Sequence, residues 1–480
     1  MNTKLFIGGV WTDPSDPNLL DIVSPHDQSV IARVAQAQPA DIDRAVEIAR
    51  DAFDNGPWPQ LPPAGRIAVL RRYNELREQR ADEIASVIAA ENGSALWFCK
   101  AGQPGLSRQA NSFLKAAESF GWEETLTPSD PSAPFTSVVR RTPVGVVAAI
   151  IPWNSPFSAA NAKIIPALLA GNTVVLKVSP ENTLSMNLLA DLLVEAGLPE
   201  GVISILAADR ETSEHLVKHP GVDKIAFTGS TRAGKRIASL AGEQLKRVSL
   251  ELGGKSAAII LDDADLSKAV AGLKFGSLLN NGESCIAQTR ILAPRSRYDE
   301  TVTALAEMVA SLKVGDPVDP DTFIGPMVRA DQQQRVRDYI DVGVAEGATL
   351  VTGGSQIPDG LDKGFYVTPT LFSDVDNSMR IAQEEIFGPV LAVIAYDDED
   401  DAVRIANDSE YGLSGGVWSA SVERALAVAR RIRTGTVTIN GAPIGFDGPF
   451  GGFKGSGIGR EYGAVGLTQY IEYQTITQVK

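Results

Sequence analysis

The 480-residue chain has little of the side-chain chemistry that serves most nucleophilic and metal-dependent enzymes. It holds three histidines, His26, His215 and His219, and none lies in a glycine-rich or cysteine-containing motif. That largely removes Ser-His-Asp, Cys-His and His-ligated metal chemistry, so no metal is expected and any general base is a carboxylate. The two cysteines, Cys99 and Cys285, supply neither a disulfide framework nor a zinc cluster. A reducing, cytoplasmic setting fits them. Long apolar runs are missing too. The stretch 144–153 is far below the roughly 20 residues that a membrane span needs, and 5–10 is too short for the apolar part of a secretory signal. Basic charge is outweighed, and the net charge of −15 argues against nucleic acid and anionic membrane as partners.

What is present is α/β patterning. Apolar periodicity predicts helices over 39–53, 65–92 and 184–196, the last closed by Gly197 and Pro199. A Pro-, Ser- and Asp-rich stretch, 125–134, reads as a loop, and 135–141 as a solvent-facing strand. Continuous apolar runs at 144–151, 173–177, 202–206, 224–227, 248–252 and 257–261 read as strands buried on both faces. Their alternation with helices predicts a Rossmann-like, doubly wound parallel sheet. A second α/β set follows Cys285, with strands at 289–292, 391–395, 416–418 and 437–440 and helices at 298–312, 330–346 and 422–431. The C-terminal stretch 468–479 alternates like an exposed strand, which pairs more plausibly with another subunit than with solvent.

Cys285 is the most informative position. It lies among small and polar residues in Asn281-Gly282-Glu283-Ser284-Cys285, 34 residues after Glu251 (285 − 251) in Glu251-Leu252-Gly253-Gly254. A thiol with a carboxylate at fixed upstream distance suits a nucleophile and its base; a lone cysteine is otherwise a small buried hydrophobe. Phe227-Thr228-Gly229-Ser230 and Gly234 form a strand, a tight turn and a helix start. Such a helix end holds a pyrophosphate, or is a plain turn. Asn154, between Pro152-Trp153 and Pro156, ends a buried strand where its amide can donate to an oxyanion, or simply turns the chain. Lys177 ends the next strand, placed either to bond a ribose or phosphate or to sit in solvent. Glu385 and Phe387 flank a Gly-Pro turn, and 449–461 is glycine-rich enough to be a loop folded over something.

Together, and in this order along essentially the whole chain, these motifs resemble the aldehyde dehydrogenase superfamily. The resemblance implies a Rossmann-like cofactor domain (1–123 and 143–252), an α/β catalytic domain (253–465), and a small β oligomerisation element (124–142 and 466–480) that makes a homodimer or homotetramer. It implies oxidation of an aldehyde to the acid with NAD, NADP being the alternative. Cys285 is implied as the nucleophile that forms a thiohemiacetal and then a thioester. Glu251 is implied as the base that activates water, and Asn154 with the Cys285 N–H as the oxyanion hole, where one donor is worth roughly 10²–10³ in turnover. Cofactor contacts are implied at Ile151, Pro152, Trp153, Lys177, Gly229, Ser230, Gly234, Leu252, Glu385 and Phe387. The substrate tunnel is implied at Ser155, Ala159, Ala162, Ser284 and Ile286.

Three departures from the family pattern bear on function. Pro180 stands where many members carry an acid that repels a 2′-phosphate, with Glu181 beside it. Glu283 replaces a common glutamine and is expected to point to solvent. Small residues at 155, 159 and 162 replace aromatic bulk, which predicts a wide tunnel for larger apolar aldehydes. With no arginine beside them, acetaldehyde and succinate semialdehyde are disfavoured substrates. A coenzyme A-acylating enzyme and a non-catalytic relative that kept the fold are the competing readings.

Overall fold

The computed structural model describes residues 3–480. An eight-stranded sheet runs in the order Gly457–Ile458, Arg247–Glu251, Lys224–Thr228, Val146–Ile150, Thr173–Val178, Ile203–Ala207, Leu5–Ile7, Val10–Thr12. The five strands from Arg247–Glu251 to Ile203–Ala207 are parallel, and antiparallel strands close both edges. The apolar runs are continuous because both faces are covered. Val147, Ala149, Val174 and Leu176 enter one core; Val146, Ala148, Ile150 and Val175 enter the other. Alternate residues thus face opposite helix layers.

From Val146–Ile150 the chain winds outward through Thr173–Val178 and Ile203–Ala207, then returns to lay Lys224–Thr228 on the other side. The strand order reverses between Val146–Ile150 and Lys224–Thr228. In an open α/β sheet that switch point opens a crevice at the carboxyl ends of the strands. Ile151–Asn154 and Thr228–Ser230 sit at those ends.

A second, seven-stranded sheet runs Thr349–Thr352, Thr370–Ser373, Val390–Tyr396, Arg290–Pro294, Ala257–Ile260, Gly415–Trp418, Thr438–Ile439. It too is sandwiched between two apolar cores. The predicted strand at 257–261 therefore opens this sheet and does not extend the first. A third sheet pairs Ile471–Val479 with Phe135–Pro143 over nine residues, Ile471 opposite Pro143 and Val479 opposite Phe135, with Glu123–Leu126 beyond. Phe135, Tyr473, Ile476 and Val479 are exposed on it.

Several elements differ from the sequence-derived pattern. The helix predicted over 65–92 is two, Pro63–Gln79 and Ala81–Asn92, because Arg80 leaves helical geometry (φ −105°, ψ 21°). The helix Leu96–Glu118 and the hairpin Leu19–Val23/Val30–Ala35 had no predicted counterpart. The short strand Gly457–Ile458 returns from the second half of the chain to pair with Arg247–Glu251, carrying the glycine-rich loop across to the first sheet.

Candidate active site

Asn154 follows the central strand of the first sheet, just ahead of the helix Pro156–Ala170. Its Nδ2 donates to the carbonyl of Glu283 (2.9 Å) and its own carbonyl accepts from Asn280 Nδ2 (2.9 Å). Those two bonds tie the strand end to the loop that carries Cys285. That loop begins where the helix Leu266–Leu278 stops and turns left-handed at Asn280 (φ 54°), Asn281 (φ 60°) and Gly282 (φ 73°). Asparagine tolerates this region because its short side chain bonds locally. Here Asn281 Nδ2 donates to the carbonyls of Gly93 (3.2 Å) and Pro326 (3.0 Å), and its Oδ1 accepts from Gly325 N (2.7 Å). Gly282 is needed for a second reason: a Cβ there would lie 2.5 Å from the backbone of Gly388.

Cys285 is half-buried at the end of this turn. Burial pushes its thiol up to about 12, and the carboxyls of Glu385, Glu251 and Glu461 add to the rise. The thiol is protonated at neutral pH in this state, so reaction requires a base. Glu251 ends the strand Arg247–Glu251 and is 5% exposed. Burial raises it well above the ordinary carboxylate range, and the neighbouring Glu461 raises it further, against the opposing pull of Lys163 and Arg460. Its Oε2 is buried with no hydrogen-bond partner. An acceptor held dry and unengaged is able to take a proton from a thiol or a water that enters. Gly451 in the glycine-rich loop lies so close that a Cβ would fall 2.5 Å from Glu251 Oε1.

A cavity of about 620 Å³ opens at the switch point. Ile151, Pro152, Trp153, Lys177, Gly229 and Ser230 line it. Ser230 caps the helix Thr231–Gly242, its Oγ accepting from Ala233 N (3.3 Å), so backbone N–H groups and the positive helix end face the cavity. Burial lowers the Lys177 ammonium to about 8, partly offset by Glu181 and Asp209. Its Nζ makes no hydrogen bond within the described residues, so it is a donor left for a ligand. Gly234, Leu252, Glu385 and Phe387 do not line the cavity. Gly234 and Leu252 pack on each other, and a Cβ on Gly234 would lie 2.5 Å from Leu252 Cδ2. Glu385 and Phe387 lie towards Cys285. Glu385 accepts from Gly254 N (2.9 Å), burial raising its carboxyl to about 7, and Phe387 packs edge-on against Trp153 with ring centroids 5.4 Å apart.

Residues 11–476 match the aldehyde dehydrogenase family. The chain belongs to that family. Its relatives include geranial dehydrogenase of Castellaniella defragrans, 45% identical over 98% of both chains, and 3-succinoylsemialdehyde-pyridine dehydrogenase of a Pseudomonas species, 42% identical over 98% of both. A Mycobacterium tuberculosis aldehyde dehydrogenase complexed with NAD+ superposes with a TM-score of 0.96 at 47% identity, over 99% of this chain and 97% of that one. A Cys-to-Ala variant of Pseudomonas syringae aldehyde dehydrogenase C, complexed with NAD+ and octanal, gives 0.94 at 41% identity, over 99% and 96%. This chain is accordingly an oxidoreductase that converts an aldehyde to the carboxylic acid with a nicotinamide cofactor.

Two expectations for this aldehyde dehydrogenase need correction. Glu283 does not point to solvent; it is 1% exposed and its Oε1 accepts from Val328 N (3.2 Å). The reason is the left-handed turn before it, which folds the side chain inward against the 325–329 segment. Ala162 does not open a tunnel either. It is 1% exposed inside the apolar core under the helix Pro156–Ala170, whereas Ser155, Ala159, Ser284 and Ile286 are half-buried. Aromatic bulk comes instead from a distant part of the chain. Tyr462 packs against Phe446 (5.1 Å), Phe450 (5.2 Å) and Phe113 (6.2 Å).

The sequence reading also missed a buried ion pair behind Glu251. Lys163 Nζ donates to Glu461 Oε1 (2.6 Å) and to Thr228 Oγ1 (2.5 Å). Lys163 sits in the middle of an apolar helix, and a lysine in such a run was the available signal.

Proposed function

We propose that Cys285 is the nucleophile, Glu251 the base and Asn154 with the Cys285 N–H the oxyanion hole of a hydrolytic, non-acylating aldehyde dehydrogenase. The observation that carries this is the unengaged, buried Oε2 of Glu251 beside a thiol too basic to ionise unaided. Glu251 takes the thiol proton as sulfur attacks the aldehyde carbon. The second hydrogen of the Asn154 amide, whose first holds Glu283, and the Cys285 N–H receive the oxyanion. NAD, when bound, supplies the hydride acceptor. The thioester left on Cys285 is then opened by a water that Glu251 deprotonates.

The dinucleotide is assigned to the switch-point cavity, its pyrophosphate at the Gly229–Ser230 helix end and its adenosine ribose at Lys177. NAD is favoured over NADP because Glu181 lines the same cavity, which restores the acidic charge missing at Pro180. Glu385, Phe387, Gly234 and Leu252 are assigned to the nicotinamide half and to support of the helix end. The substrate is read as a medium-sized apolar aldehyde. Geranial dehydrogenase and the octanal complex are the relatives that favour this, and Phe446, Phe450 and Tyr462 supply the apolar wall beside Ser155, Ala159, Ser284 and Ile286. The division into cofactor, catalytic and oligomerisation units is kept, with the exposed three-stranded sheet as the surface for a second subunit in a homodimer or homotetramer. A reducing cytoplasm would keep Cys285 as a thiol.

The test is a panel of short aliphatic, long aliphatic, terpenoid and aromatic aldehydes, with NAD and NADP and with and without coenzyme A, read by absorbance of the reduced cofactor. Turnover greatest with long aliphatic or terpenoid aldehydes and NAD, unaffected by coenzyme A, is expected. Dependence on coenzyme A would replace the hydrolytic reading with the acylating one.

A further inference from the structure

We propose that Glu283 is a positioning residue for the reaction, holding the Cys285 loop and the Asn154 amide in register through hydrogen bonds of its main chain and its carboxyl. This rests on the roles assigned above to Cys285 and Asn154.

Glu283 is bonded on both its main chain and its side chain. Its carbonyl accepts from Asn154 Nδ2 at 2.9 Å and from Asn280 Nδ2 at 3.4 Å. Its carboxyl Oε1 accepts from Val328 N at 3.2 Å. One residue therefore joins the amide donor, the left-handed turn and the 325–329 segment, two positions before the sulfur. Asn281 anchors the same segment through Gly325 and Pro326. The loop is thus pinned at both ends of one short stretch, and Glu283 is the pin nearer the thiol.

The protonation state follows from the surroundings. The side chain is 1% exposed, and no ion pair among the described residues involves it. The charged group facing it is Arg329 on the 325–329 segment. That guanidinium is already committed to Glu181 (3.0 Å) and Asp331 (2.5 Å). The other backbones against the turn, at Gly93 and at Gly388, bring no charge. A buried carboxylate without a free cation is costly, whereas the neutral acid accepts the Val328 N–H as an amide would. Burial accordingly keeps the carboxyl well above its ordinary range. Ionisation at high pH would leave an unpaired buried negative charge in the turn two positions before Cys285, straining the loop that carries the thiol.

The experiment compares the wild-type chain with E283Q and E283A from about pH 6 to about pH 10, a range wide enough to expose the ionisation. It records aldehyde turnover and, separately, the rate at which iodoacetamide alkylates Cys285. E283A is expected to lose roughly tenfold to 10²-fold in kcat at every pH, the scale of a misplaced reacting group, with a much smaller change in KM for the cofactor. E283Q is expected to recover the activity lost in E283A, to carry its alkaline decline in turnover to higher pH than the wild type, and to show alkylation that rises more steeply with pH than in the wild type. An E283A enzyme with wild-type kcat overturns the positioning role. Identical alkaline limbs in wild type and E283Q overturn the neutral-acid role, and that comparison stands even if E283A fails to fold. Alkylation at Cys285 without any aldehyde oxidation would defeat the assigned function and still leave the alkylation profiles to decide the inference.

Discussion

The cofactor side and the nucleophile side of this site are built from different materials. The cofactor cavity is made of regular structure: strand ends at Ile150 and Thr228, a helix start at Ser230, and one lysine at the end of a strand. Repeating backbone geometry creates it, and a ligand needs only to follow that geometry. The nucleophile side is made of exceptions. Asn280, Asn281 and Phe387 are left-handed, Gly253 admits Glu385 so closely that a Cβ would meet its Oε2 at 2.4 Å, and three carboxyls, Glu251, Glu385 and Glu461, act on one sulfur. On the proposed assignment a dinucleotide follows the fold, whereas a reacting carbonyl depends on left-handed turns and side-chain bonds that the fold must support.

The largest effect expected to separate the two sides is C285A. It should lower kcat by about 10⁴-fold or more, as loss of a nucleophile does. The rise in melting temperature on adding saturating NAD should match the wild type. A lost NAD-induced shift would mean that the two sides are not separable. E251Q comes next. Its steady state should fall by about 10²–10⁴, the worth of a general base, while stopped-flow absorbance shows a burst of reduced cofactor that is slowed by the lost thiol base but still faster than the steady state. Equal loss of burst and steady state would confine Glu251 to deprotonating the thiol and remove it from acyl release. The smallest effect belongs to the cofactor side. The Lys177 ammonium, lowered to about 8, is charged below that pH and neutral above it. Dinucleotide affinity should therefore weaken as pH rises past about 8, by about fivefold, the worth of roughly 1 kcal/mol. Quenching of tryptophan fluorescence, with Trp153 in the cavity wall, reads it. A K177Q enzyme with the same pH dependence would assign the effect elsewhere.

The same contrast explains what could be read before the structure was known. Runs such as Val146–Ile150 and Lys224–Thr228 announce themselves because a strand covered on both faces is apolar throughout. Cys285, Glu251 and Asn154 stand in short motifs whose order is distinctive. The helix Leu96–Glu118 was hidden because Gly102, Pro104 and Gly105 mark loops in sequence, while its packing against the neighbouring helices overrides them. Glu283 was misjudged because a charged residue in a polar stretch defaults to solvent, and only the left-handed turn folds it inward. Ala162 was misplaced because the helix Pro156–Ala170 turns it into the apolar core rather than towards the site.

The amino-acid order alone determined the alternation of strands and helices, the family, and which thiol, carboxylate and amide are proposed for the chemistry. Each depends on periodicity or on short, local motifs. Only the tertiary structure decided the protonation of the buried carboxyls, the Lys163–Glu461 pair and the aromatic wall. Burial, charge pairing and van der Waals contact depend on which distant segments meet, and that is set when the two sheets close on each other.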